Sequence, residues 1–80
     1  MARFFLHLHE CGTATMDDLG VECVDVAAAQ VRALTAAREI MCAEVKEGRL
    51  CLSCHIEVRN EADEFMCKVA FRDAIALTGI

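Results

Sequence analysis

Leu50-Cys51-Leu52-Ser53-Cys54-His55-Ile56-Glu57-Val58-Arg59 is the stretch whose reading decides the fold. Leu50, Leu52, Cys54, Ile56 and Val58 alternate with Cys51, Ser53, His55, Glu57 and Arg59. A period of two predicts a strand whose first set meets a core and whose second set faces outward. Toward the C-terminus, Asn60 to Glu64 reads as a polar turn. A further strand from Phe65 to Phe71 then turns Phe65, Cys67, Val69 and Phe71 inward and Met66 and Lys68 outward. Arg72 to Leu77 reads as a last helical turn or a frayed tail.

Toward the N-terminus, Gly48 is a natural stop for a long alanine-rich helix from Asp25 to Lys46. Asp25 supplies the N-cap, because its carboxylate accepts from open backbone N–H groups. On a helical wheel Ala27, Val31, Leu34, Ala37, Met41 and Val45 share one face, with Arg32, Glu39 and Lys46 opposite. Arg38 lies at the apolar edge and must snorkel or pair. The chain opens with another alternating strand, Arg3 to His9, in which Phe4, Leu6 and Leu8 oppose Phe5, His7 and His9. Cys11-Gly12 breaks it, Thr13 to Met16 returns as a short strand, Asp17 to Gly20 is a turn, and Val21 to Val24 leads into the helix.

The reading is a single α+β domain over residues 1–80. A small, mainly antiparallel sheet in the order β-β-α-β-β carries one long helix on one face. The expected core is Phe4, Leu6, Leu8, Val31, Leu34, Met41, Ile56, Val58, Phe65 and Val69.

Composition bounds the function. Eighty residues at 56% hydrophobic content put much apolar material on a domain with a high surface-to-volume ratio, which favours a subunit contact. The net charge of −5, with neither Trp nor Tyr, argues against nucleic-acid binding, which needs basic stripes and stacking platforms. No run approaches the roughly 20 apolar residues of a membrane span. Phe4 to Leu8 is interrupted by His7 and followed by Glu10, too short for a secretory apolar segment. The expected location is the cytoplasm, where the six cysteines stay reduced.

Arg3-Phe4-Phe5-Leu6-His7, Asp17-Asp18-Leu19-Gly20-Val21-Glu22, Asp25 before an alanine-rich helix, Ile56-Glu57-Val58-Arg59 and Phe71-Arg72-Asp73-Ala74 follow one another in a distinctive order. In this the chain resembles the short bacterial proteins grouped as domain of unknown function 6894, over nearly its whole length. The resemblance implies a compact α+β domain with no catalytic residue to carry over. Ala2 and Val24 stand where relatives often have proline, and Glu61-Ala62-Asp63 where they favour a glycine turn. Six cysteines are also unusual beside those relatives.

Cys51-Leu52-Ser53-Cys54-His55 matches the C-x-x-C-H pattern of covalent haem attachment. On a strand, however, Cys51 and Cys54 point to opposite faces and cannot grip one ligand. The same parity opposes zinc, whose remaining ligands would have to come from Cys11, Cys23, Cys42, Cys67 or a histidine at no ligand-like spacing. Cys54, Cys67 and Cys23 read as small buried hydrophobes, and Cys51 as the oxidisable thiol. No cofactor is expected.

His7, His9 and His55 share the outer sheet face with Phe5, Cys51, Glu57 and Met66. The expected interface is Phe5, His7, His9, His55 and Met66, buried against a second copy in a homodimer. No nucleophile, phosphate loop or paired carboxylates stand out, so an enzyme is not expected. The leading expectation is a non-enzymatic, self-associating interaction or accessory module. The alternative is a metal- or redox-responsive regulator using Cys51, His55 and His7.

Overall fold

The computed structural model describes residues 1–79. Period-two patterning is realised in β1 (Ala2–Glu10), which occupies the middle of a five-stranded antiparallel sheet. Two short strands, β2 (Thr13–Thr15) and β3 (Val21–Cys23), pair with its two ends, β2 with Leu8 to Glu10 and β3 with Ala2 to Phe4. The expected lead-in to the helix is thus a fifth strand. β4 (His55–Asn60) pairs with β1, and β5 (Phe65–Ala70) pairs with β4. A 3₁₀ turn at Phe71–Asp73 follows.

Register sorts the side chains. Leu6↔Val58 and Leu8↔Ile56 lie toward the helix, while Phe5↔Arg59, His7↔Glu57 and His9↔His55 lie on the other face. Phe4, Ile56, Val58, Val69, Phe71 and Met41 are buried. Val58 and Phe71 are fully enclosed, a burial that stabilises the fold by about 1.5–3 kcal/mol each. Leu6, Leu8, Leu34 and Cys67 pack around this core only partly buried.

A gap between β2 and β3 along one edge of β1 is filled by a side chain. Asp17 Oδ2 accepts from the Leu6 N–H at 3.2 Å, and Oδ1 accepts from the N–H groups of Leu19 and Gly20 at 3.2 and 3.0 Å. Burial opposes ionisation of Asp17, but these three donors and the nearby His7 outweigh it and hold the carboxyl below its usual range. The same residue's N–H donates to His7 Nδ1 at 3.0 Å.

The helix α1 (Val26–Lys46) is capped as expected, with the Asp25 carboxylate accepting from Ala28 N–H at 2.9 Å. It ends where Gly48 and Arg49 donate to the carbonyls of Val45 and Glu44. Arg38 pairs, its Nε donating to the Ala74 carbonyl at 2.7 Å. The buried face differs from expectation. It is Ala29, Ala33, Ala37, Met41 and Glu44, while Ala27 is exposed and Val31 and Val45 are 61% and 59% exposed. The alanine stripe wins because it lets the backbone approach the sheet closely, which the bulkier valines would prevent.

Two strand assignments also change. Phe65 is not core but 55% exposed. A bulge between Val58 and Arg59 moves it opposite Arg59, a residue of the outer face. β4 begins at His55 rather than Leu50. The two-residue turn Cys11-Gly12 ends β1 at Glu10, so Leu50 to Ser53 have no strand beside them to pair with. That segment is a loop, and its parity argument no longer applies.

Candidate metal centre

Two loops meet at the end of the sheet. Pairing of Glu10 with Thr13 leaves Cys11 and Gly12 as the tip of the first hairpin, with Gly12 at φ +72°. That left-handed conformation is open to glycine at little penalty. Because His9 pairs with His55, the tip stands abreast of the residues just before β4. The loop carrying Cys51 and Cys54 is anchored where Phe71 N–H donates to the Cys54 carbonyl at 2.9 Å.

Freed from strand alternation, the sulfurs converge. The Cys54 thiol donates to Cys51 Sγ at 3.1 Å, and Cys11 Sγ lies 3.3 Å from Cys51 Sγ. All three sulfurs fall within 4.8 Å of one another. Four ligands around zinc at 2.3 Å place sulfurs about 3.8 Å apart. The Cys54–Cys51 and Cys11–Cys51 spacings of 3.1 and 3.3 Å fall short of that value, so Cys51 must draw back from its neighbours by roughly half an ångström for the sulfurs to hold one ion.

The thiols are inequivalent. Hydrogen bonds from Cys54 and Cys11, helped by the Ser53 N–H, hold Cys51 below the usual thiol range. Burial, then the bond to Cys51 and repulsion from its thiolate, push Cys54 up to about 12. Hydrogen bonding to Cys51 and repulsion from it also raise Cys11. Cys51 is thus the sulfur that gives up its proton most readily, and Cys11 and Cys54 hold theirs more tightly.

These residues line a cavity of about 330 Å³ together with Glu10, Glu44 and Arg49. Glu44 is 7% exposed, the one buried charged side chain among the described residues. Its Oε1 has no hydrogen-bond partner. Its backbone is fixed by the helix terminus, where its carbonyl accepts from Glu47 and Arg49 N–H groups.

The sequence-based alternative of Cys51 with His55 and His7 is not the grouping the fold assembles. His55 stacks on His9, with ring centroids 4.7 Å apart and planes 10° from parallel. His7 accepts from Asp17 and stacks 6.4 Å from Phe5. Desolvation, then His9 and Lys68, keep His55 below its usual range. Phe5, His7, His9 and His55 are half-buried and Met66 is 38% exposed on the outer face. Cys51 is half-buried among sulfurs rather than outward-facing. Cys23 and Cys54 are buried as expected, and Cys67 partly so.

Sequence reasoning named Cys11 only to set it aside as a zinc ligand, and missed Glu44. The first was signalled by the Cys-Gly turn, whose position relative to Cys51 needs the β1–β4 register. The second was signalled by the alanine stripe itself, since continuing Ala33, Ala37, Met41 by three residues reaches Glu44.

The sequence profile of a family described as a domain of unknown function (DUF6894) matches residues 3–72. No curated protein and no solved structure matches. No helix among the described residues is long and apolar enough to cross a membrane.

Proposed function

Since the chain belongs to the DUF6894 family, whose description assigns no activity, we propose from its own residues that it is a non-enzymatic, metal-responsive binding module. Cys11, Cys51 and Cys54 hold one soft or borderline-soft ion, Zn(II) or Cu(I). The convergence of three sulfurs from two loops within 4.8 Å carries the reading. Thiolates suit these ions and disfavour hard cations such as Mg(II) or Ca(II). Because Cys11 and Cys54 are raised, binding displaces their protons, and affinity climbs with pH. Without metal, Cys51, whose proton is the most easily lost of the three, is the oxidisable thiol.

Elemental analysis of protein purified without chelator, followed by titration of the reduced, stripped protein against a chromophoric competitor, tests this. One ion per chain, lost in Cys51→Ser, is expected. Wild-type protein that binds neither Zn(II) nor Cu(I) stoichiometrically removes the proposal.

A second reading, self-association, has separate support. In one chain the outer sheet face carrying Phe5, His7, His9, His55 and Met66 has no covering layer among the described residues. β5 pairs only with β4 among them, which leaves a free edge. We propose a homodimer through this face or edge. Sedimentation equilibrium at micromolar concentration is expected to give twice the chain mass, and a strict monomer rules it out.

A further inference from the structure

We propose that Glu44 supplies the fourth ligand of the three-sulfur site and thereby selects Zn(II) over Cu(I). The inference rests on the metal-binding reading above and adds a residue from a different element. Three thiolates alone satisfy trigonal Cu(I), whereas zinc in a closed site takes four ligands in a tetrahedron. A carboxylate oxygen is a good zinc donor and a poor partner for a soft monovalent ion.

Two independent observations point to Glu44. Glu44 lines the same cavity as the three cysteines. Its Oε1 is buried without a partner, in a residue only 7% exposed. A buried polar atom with no partner is destabilising, and native folds retain few of them. The nearby cation does not relieve it, because Arg49 on the cavity wall donates to Glu47 at 2.9 Å. Glu44 stands outside the 4.8 Å sulfur grouping. Its three side-chain torsions and the roughly 330 Å³ cavity give it room to swing onto an ion the sulfurs have captured. On binding, the remaining thiol protons leave to solvent and the carboxylate closes the coordination sphere. The last turn of α1 is then tied to both loops.

The test compares reduced wild type with Glu44→Gln, which keeps shape and a polar tip, and Glu44→Asp, which keeps the carboxylate. Zn(II) and Cu(I) affinities are measured by competition. Co(II) serves as a spectroscopic substitute for zinc, with far-UV circular dichroism reporting the fold. Glu44→Gln is expected to weaken Zn(II) about tenfold or more while leaving Cu(I) within about twofold, and Glu44→Asp to recover part of the loss. The wild-type Co(II) spectrum should be tetrahedral and unmoved by added imidazole, whereas Glu44→Gln should respond to it. Equal zinc affinity in Glu44→Gln, or a wild-type Co(II) spectrum that shifts with imidazole, overturns the role of Glu44 and leaves the thiol site standing. Loss of Zn(II) and Cu(I) binding in wild type itself removes both.

Discussion

Replacing Glu44 with leucine should make the metal-free protein more stable. Leucine is of similar length, is as good a helix former, and continues the apolar stripe of Ala33, Ala37 and Met41. Substitution leaves the backbone bonds from Glu47 and Arg49 to the residue-44 carbonyl untouched. It removes the partnerless buried Oε1, an atom whose lost hydration destabilises a fold by about 1–3 kcal/mol. A gain of that size raises the melting temperature of a domain this small by roughly 4–8 °C per kcal/mol. The urea midpoint should rise by about 1–2 M. The assay is urea and thermal unfolding of wild type and Glu44→Leu, both reduced and with chelator present. Repeating it with zinc should shrink or cancel the variant's advantage, since tenfold weaker binding gives up about 1.4 kcal/mol of it. Wild type gains about 4 kcal/mol at a thousand times its dissociation constant, and the variant gains less. If the metal-free variant is no more stable than wild type, the carboxyl is satisfied in the free protein, and the reasoning from its unpaired oxygen fails.

Four further outcomes follow from the same structure. Gly20→Ala should destabilise by about 2–4 kcal/mol in thermal melts, because residue 20 sits at φ +73° and a Cβ there would lie 2.9 Å from the Phe4 carbonyl oxygen. Asp17→Asn should lose about 1–3 kcal/mol at neutral pH. Since the folded pKa of Asp17 is depressed, its contribution is present above the unfolded value of 3.8 and vanishes as pH falls through the folded one. The variant should therefore lack that part of the acid loss seen in wild-type unfolding curves. On the helix, Val31→Ala should change stability by less than about 0.5 kcal/mol, whereas Ala33→Leu should destabilise by about 1–3 kcal/mol by forcing the helix off the sheet. In alkylation followed by mass mapping, Cys51 should react faster than exposed Cys42, with its pH–rate midpoint below the usual thiol value of 9.0, and zinc should protect it.

How legible this molecule was in its sequence depended on whether the deciding force was local. Alternation in Phe4, Leu6 and Leu8, and in Ile56 and Val58, reports a one-sided sheet directly, so the α+β architecture followed. Asp25 and Gly48 mark the helix ends through their own backbone chemistry. The buried helix face was harder. Alanine carries little hydrophobic signal, so Val31 and Val45 pulled the wheel away from Ala29 and Ala33, whose small size matters only once the sheet is in place. Leu50 to Ser53 imitates a strand, but a strand needs a neighbour, and β1 has already turned at Cys11. Phe65 kept its parity on paper and lost it to a bulge that only pairing can reveal. The candidate site brings Cys11 beside Cys51 and Cys54 through that same non-local register, with Glu44 on the wall of the cavity they share, which no reading of spacing along the chain supplies.

Forty positions separate Cys11 from Cys51 along the chain, and all of α1 lies between them. An ion gripping both ends would fasten this stretch into a ring, and because the ion leaves on unfolding, its binding free energy, about 4 kcal/mol at a thousand times the dissociation constant, adds to the stability of the folded state. For an 80-residue chain that is a large share of its whole margin. Occupancy of the sulfur cluster would then set how long the molecule survives as well as what it holds. Starved of its ion, the chain would be the form that a protease removes first.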